Sequence, residues 1–179
     1  MFTLGIDPGT KGAIALCSDV HTIQVWDVPY FLVGKTKRRI NELAFLDLMA
    51  GLTATYDPSL AVIEDVSGWG AQAGQFVFGY TTGSLTTAVI AAGVPIIKVR
   101  PETWKRALGL PVGKSEAKEV ALQYASQLMP SQRHLWPLKK HHDRAEAALL
   151  ALYGHRHLDR SYHRDDQELC QGARTAMSS

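Results

Sequence analysis

Apolar positions fall along the chain in two rhythms. Short unbroken runs predict buried strands at Phe2 to Asp7, Ala13 to Cys17, Leu60 to Val66 and Ile96 to Arg100. Pro8-Gly9-Thr10-Lys11-Gly12 is a glycine-rich turn between the first two, and Ile23 and Val25, with Val28 at the margin, predict a third strand before the first helix. Three short strands joined by tight turns make an antiparallel meander. From Asn41 the rhythm changes: Leu43, Phe45, Leu46, Leu48, Met49 and Leu52 have helical spacing, and Asp57-Pro58 ends the element. A second helix is expected from Gln75 to Ala92, closed by Gly93-Val94-Pro95. Pro101 opens a short helix through Trp104 and Ala107, and Ser115 caps another from Glu116 to Leu128. Pro130 to Lys140 reads as a loop, and a last helix starts near His142 and runs through Leu152, with Gly154 as its stop.

The order βββ-α-β-α-β-α-α predicts an α/β fold: a mixed β-sheet, an antiparallel three-strand meander plus parallel strands, flanked by helices. Residues Asp159 to Ser179 are polar and show no period, which divides the chain into a folded domain at 1–158 and a loose tail at 159–179.

The 179 residues, 46% hydrophobic and 20% charged, exclude disorder throughout and a collagen-like fibre. Cys17 and Cys170 have no ligand-like spacing, so neither a disulfide framework nor a thiolate zinc site is expected, and a reducing, cytoplasmic setting fits. The longest apolar stretch, Val89 to Val99, is interrupted by Gly93, Pro95 and Lys98 and falls short of the ~20 residues of a membrane helix. No leader is expected, because the first strand begins at Met1. The net charge of +2 conceals two basic clusters: Lys35, Lys37, Arg38 and Arg39, and a stretch from Lys98 to Lys140 in which nine Lys/Arg face only Glu102, Glu116 and Glu119. Such clusters suit a protein that meets phosphates, and equally suit a solvated face.

The acids are more specific. Asp7 ends an apolar strand just before the glycine-rich turn, and Glu64 ends the run Leu60-Ala61-Val62-Ile63 in the same way. A carboxylate there is costly unless paired or bound to a metal, and strand ends at a sheet crevice are where α/β proteins place ligands. A salt-bridged structural role accounts for either acid taken alone. Asp143 and Glu146 share one face at the start of the last helix, above Ala147 and Leu150. The helix dipole alone favours acids in a first turn. An apolar stripe beneath them predicts instead that the helix packs on the sheet and brings four carboxylates together. Magnesium takes such oxygen ligands, and two ions about 4 Å apart suit phosphodiester cleavage.

Three segments, Gly5-Ile6-Asp7-Pro8-Gly9-Thr10-Lys11-Gly12-Ala13, Ala61-Val62-Ile63-Glu64 and Asp143-Arg144-Ala145-Glu146-Ala147, resemble the RuvC Holliday-junction resolvases of the RNase H-like superfamily over roughly residues 1 to 154. The resemblance implies an RNase H-like fold and a homodimer that makes paired symmetric nicks in four-way DNA junctions. It further implies that Asp7, Glu64, Asp143 and Glu146 hold two Mg2+ ions, with Mn2+ able to substitute. Glu146 departs from the usual aspartate and is closer to phage-type and organellar resolvases. His141 and His142 precede Asp143, as a histidine does in some relatives; either a water-activating or a plain surface role fits them. Lys105 and Lys118 also match, and a cation beside the cleaved phosphate would offset developing charge. Lys118 is assigned to the active site, while Lys114 suits nonspecific phosphate contact.

The further DNA-binding candidates are Lys11, Lys35, Lys37, Arg38, Arg39, Lys139 and Lys140, with Trp69, Gln75 and Phe76 in the glycine-rich segment 66–80 that resembles the part of RuvC entering the junction centre. Exposed aromatics stack on unpaired bases, although Phe76, Phe78 and Tyr80 also suit a core or a dimer contact. The helix at 75–92, through Phe76, Tyr80, Leu85, Val89 and Ile90, is the candidate interface. Three other readings stay open: an actin-like or sugar-kinase ATPase, whose first phosphate loop Asp7 to Gly12 also resembles; a DNA-binding module without catalysis; and a nuclease acting on forks, flaps or RNA–DNA hybrids.

Overall fold

The computed structural model describes residues 1–65, 74–111 and 117–176, with side chains described to residue 159 and, in the segment after 116, from residue 119. Trp69 and Lys114 therefore lie outside the described residues, as does the side chain of Lys118.

One five-stranded sheet organises the chain, in the order β3 (Thr22–Asp27), β2 (Ala13–Asp19), β1 (Thr3–Asp7), β6 (Leu60–Glu64) and β7 (Ile96–Val99). Strands β1, β2 and β3 form the expected antiparallel meander. Strand β6 pairs in parallel with β1, and β7 pairs in parallel with β6. Alternation along β1 sorts its side chains between two cores. Leu4 and Ile6 join Ile14, Leu16 and Ile63 beneath α1 (Glu42–Tyr56) and α2 (Gln75–Ala91), where Phe45, Met49, Leu85 and Val89 are buried. The opposite face carries Ala13, Ala15 and Val62 beneath the helices α3 (Pro101–Ala107), which buries Trp104 in the same core, α4 (Ala117–Leu128) and α5 (His142–Ala176). The fold class is the α/β mixed sheet that the pattern predicts.

Four differences from the sequence reading have physical causes. Helix α5 does not stop at Gly154. That glycine is inside the helix, where a Cβ would meet Val62 Cγ2 at 2.7 Å, so it serves close helix–sheet approach rather than termination. The backbone over 159–176 is accordingly helical where an irregular tail was predicted. Second, β4 (Tyr30–Val33) and β5 (Lys37–Ile40) form an unpredicted hairpin, turning at Gly34 with φ +67°. Third, the predicted loop at 130–140 contains two short 3-10 helices, Pro130–Leu135 and Lys139–His141. Fourth, Leu85 and Val89 are buried against the sheet, which removes them from the candidate interface and leaves Phe76, Tyr80 and Ile90 exposed. Among the described residues no helix is long and apolar enough to cross a membrane.

Candidate active site

The site is assembled by the fit of α5 on β1. Thr3, Gly5 and Asp7 share the face turned to α5, about 6.6 Å apart in steps of two. On the helix, Ala151, Ala147 and Asp143 recur every four residues, about 6 Å per step. The two rows run antiparallel and stay in step. Thr3 Oγ1 donates to the Ala151 carbonyl at 2.8 Å, and the missing side chain of Gly5 admits the helix backbone at Ala147 and Ala151. Asp7 then meets Asp143, with which it shares a hydrogen bond.

Asp7, Asp143 and Glu146 each place a carboxylate oxygen within 4.8 Å of the others. Glu64 ends the neighbouring strand on the same face but stands beside this trio, its Oε1 accepting from the Trp104 indole N–H at 2.9 Å. Lys105 Nζ lies 3.6 Å from Glu146 Oε1 and 5.1 Å from the Trp104 ring centroid. Burial and then the charges of Glu146, Asp143 and Glu64 push Asp7 well above the usual carboxylate range. Burial, with Glu64 and Asp143 adding to it against Lys105, carries Glu146 up to about 7. Glu64 is raised by burial, with Trp104 and Lys105 opposing. Acids crowded this closely form an all-oxygen donor set, which fits a hard divalent cation whose charge offsets theirs.

Two clefts open beside the acids. The larger, of about 670 Å³, runs from Asp7, Asp143 and the turn Pro8 to Gly12 to Val33, Lys37, Arg38 and Arg39 of the hairpin and Gly74, Val77 and Phe78 of α2. The smaller, of about 350 Å³, is lined by Lys11, Asp27, Arg38, Lys140, His141, His142, Asp143 and Arg144. Lys11 and Arg38 line both. Arg38 is braced over the Tyr30 ring at 4.0 Å. His142 Nε2 lies 3.0 Å from Asp143 Oδ1.

The structure thus brings Asp7, Asp143, Glu146 and Lys105 together with Glu64 alongside, and puts Lys11, Lys37, Arg38, Arg39 and Lys140 around them. Lys35 is exposed in the hairpin turn, Gln75 starts α2, and Phe76 is 83% exposed, its ring stacked on Tyr80 at 6.4 Å. Lys139 instead pairs with Glu119 at 2.7 Å on the surface. The backbone of Lys118 is in the first turn of α4. Sequence reasoning missed Trp104 as a partner of Glu64. It also missed the two-pronged Arg144–Asp27 contact, Nε to Oδ1 at 2.6 Å and an Nη2 to Oδ2 at 2.7 Å, which ties the start of α5 to the end of β3.

No protein-family model matches the sequence, and no curated protein is similar to it at a significant level. Solved structures do match. RuvC of T. thermophilus in complex with Holliday junction substrate is similar with a TM-score of 0.57 at 19% identity, covering 86% of this chain and 91% of that one. The chain has the RNase H-like fold of the RuvC resolvases. A second RuvC structure from Thermus thermophilus has a TM-score of 0.53 at 19% identity, covering 87% of this chain and 96% of that one. The yeast mitochondrial Holliday junction resolvase Ydc2 has a TM-score of 0.50 at 17% identity, covering 86% and 77%. In this RuvC-like frame the acids lie at the C-terminal ends of β1 and β6 and under the start of α5.

Proposed function

We propose that the protein is a divalent-cation-dependent endonuclease that resolves four-way DNA junctions by paired symmetric nicks, acting as a homodimer. One observation carries this reading: three carboxylates lie within 4.8 Å of one another, with Glu64 beside them, and two of the three, Asp7 and Asp143, line a cleft walled also by Lys37, Arg38 and Arg39. The RuvC-like fold and the junction-bound relative support the choice of substrate.

Asp7, on which the charges of the other three acids act, would hold a bound cation together with Glu64 on one side and Asp143 and Glu146 on the other. Bound there, Mg2+, or Mn2+ in its place, supplies an activated water and charge stabilisation for phosphodiester hydrolysis. Lys105 holds Glu146 in place and offsets part of the cluster's negative charge. Arg38 and Lys11, which border both clefts, contact the backbone phosphates on either side of the acids, as Lys37 and Arg39 do farther along the hairpin. Phe76 offers a ring face to an unpaired base at the junction centre. Lys118 and Lys114 supply cations from the start of α4 and the segment before it, and Trp69 a second stacking surface.

The deciding experiment incubates the protein with labelled four-way junctions, forks, duplexes and RNA–DNA hybrids, with and without Mg2+, and maps the cuts. Symmetric paired nicks in junctions that require Mg2+ support the proposal. Junction binding without any cut in Mg2+ or Mn2+ identifies a recognition module instead, and preferential cutting of forks or hybrids reassigns the substrate.

A further inference from the structure

Helix α3 starts immediately after β7, with Pro101 at its first position, and so directs two consecutive side chains at two different acids. Lys105 reaches Glu146, and Trp104 reaches Glu64. Trp104 is completely buried, in the cluster that also holds Val62, Met129 and Leu149. A buried indole has a single N–H to satisfy, and a ring enclosed on all sides cannot turn to find another acceptor. Its acceptor here is one oxygen of a carboxylate, at 2.9 Å. That bond accounts for Glu64 standing next to the trio Asp7, Asp143 and Glu146 rather than within it.

We infer that Trp104 is a positioning residue: its indole N–H holds one oxygen of Glu64, keeps that carboxylate from collapsing onto the other acids, and presents the second oxygen for a divalent cation. The inference rests on the cation-dependent reading above. A packing role alone needs only the ring, whereas the positioning role needs the N–H. The two roles separate in Trp104→Phe, which retains an aromatic ring and deletes the donor.

Calorimetric titration of Mn2+ into the metal-free full chain tests this with four proteins: wild type, Trp104→Phe, Glu64→Gln and the double variant. Hydrogen-bond partners standing behind a metal ligand are worth about 10–100-fold in affinity. Trp104→Phe weakens Mn2+ binding by about that factor in the wild-type background and by less than about twofold once Glu64 is Gln, because the bond it breaks then no longer serves a ligand. Equal losses in both backgrounds, or no loss in either, overturn the inference while leaving the cation reading standing. A wild type that takes up no Mn2+ overturns both. Glu64→Ala gives an independent measure that leaves the tryptophan in place: the Trp104 indole proton, followed by NMR, moves upfield on losing its acceptor, and an unmoved signal contradicts the assignment.

Discussion

Gly5 on β1 lies against the backbone of Ala151 on α5 so closely that a Cβ on the glycine would overlap the Ala151 amide nitrogen. The Ala147 carbonyl on the preceding turn is equally close. This contact sets the depth at which the helix rests on the sheet, and hence the distance from Asp143 to Asp7 two residues along the strand. A packing contact in the core thereby determines the spacing of the acids at its edge.

Gly5→Ala is therefore expected to destabilise the protein by about 3 kcal/mol or more, since its methyl group meets main chain that cannot rotate away. Gly154→Ala, whose methyl group meets the Val62 side chain, costs less. Gly51→Ala, inside α1 with nothing within 4 Å, stabilises by about 0.5–1 kcal/mol. Urea denaturation of the three variants gives the order, and a neutral Gly5→Ala contradicts the packing account.

The raised acids predict a pH dependence of stability in the absence of divalent cations. An acid whose folded pKa lies above its unfolded value favours folding fully below the unfolded value, and that contribution is lost as pH rises through the folded one. For Glu146 the window runs from its ordinary 4.5 to about 7, and Asp7, also raised, acts in the same direction. The melting temperature of EDTA-treated protein should fall across this window relative to Glu146→Gln, which lacks the titrating group. Mg2+ added above pH 7 should recover the loss in wild type. Parallel curves for the two proteins contradict the prediction.

Much of this site was legible in the sequence because its signals are local. An acid ending an apolar strand before a glycine-rich turn marks Asp7, the same arrangement marks Glu64, and the three-residue step from Asp143 to Glu146 needs only helical geometry. What stayed hidden depends on partners distant in sequence. Gly154 near the end of an apolar period reads equally as a helix stop or as a contact, and only the position of Val62 decides. The hairpin escaped although Tyr30 to Val33 is a short apolar run, because its partner strand, Lys37–Ile40, is mostly basic and carries no strand-like apolar pattern. Trp104 and Glu64 are forty residues apart, and nothing in Pro101-Glu102-Thr103-Trp104 names an acceptor. Phe76, Tyr80, Leu85, Val89 and Ile90 likewise read as more apolar side chains than one sheet face can bury, and only the fold shows that Leu85 and Val89 are the ones it does bury.

The basic hairpin is expected to carry sequence-independent DNA affinity. Arg38→Gln and Arg39→Gln should each weaken junction binding and lower the slope of log affinity against log salt by about one phosphate contact. Lys139→Gln, a residue paired with Glu119 away from both clefts, should change the slope little. Fluorescence anisotropy over a salt series in EDTA measures all three, and equal slopes for every variant contradict the placement of DNA along the hairpin.

Two cuts of like polarity in a four-way junction call for two sites related by a two-fold axis, which a closed dimer supplies. With Phe76 turned to the DNA, the exposed Tyr80 and Ile90 on α2 are left to such an interface. Ile90→Glu, at a position 58% exposed, should leave thermal stability nearly unchanged while shifting light scattering toward the monomer. That variant should also nick junctions without resolving them. A monomeric wild type that makes both cuts within one binding event contradicts the dimer.

If Asp7 anchors a cation-dependent cleavage centre, wild type and Asp7→Asn differ on one labelled four-way junction in cleavage, with no loss of binding. Binding is read by mobility shift in EDTA and cleavage by single-turnover kinetics after Mg2+ is added. The amide keeps the shape of the carboxylate and removes a negative charge near phosphates, so junction binding should be retained or tightened. Cleavage should fall by at least about a thousandfold, on the scale of removing a principal electrostatic element of a catalytic site. Cutting by Asp7→Asn at a rate close to wild type would exclude Asp7 from the cleavage centre.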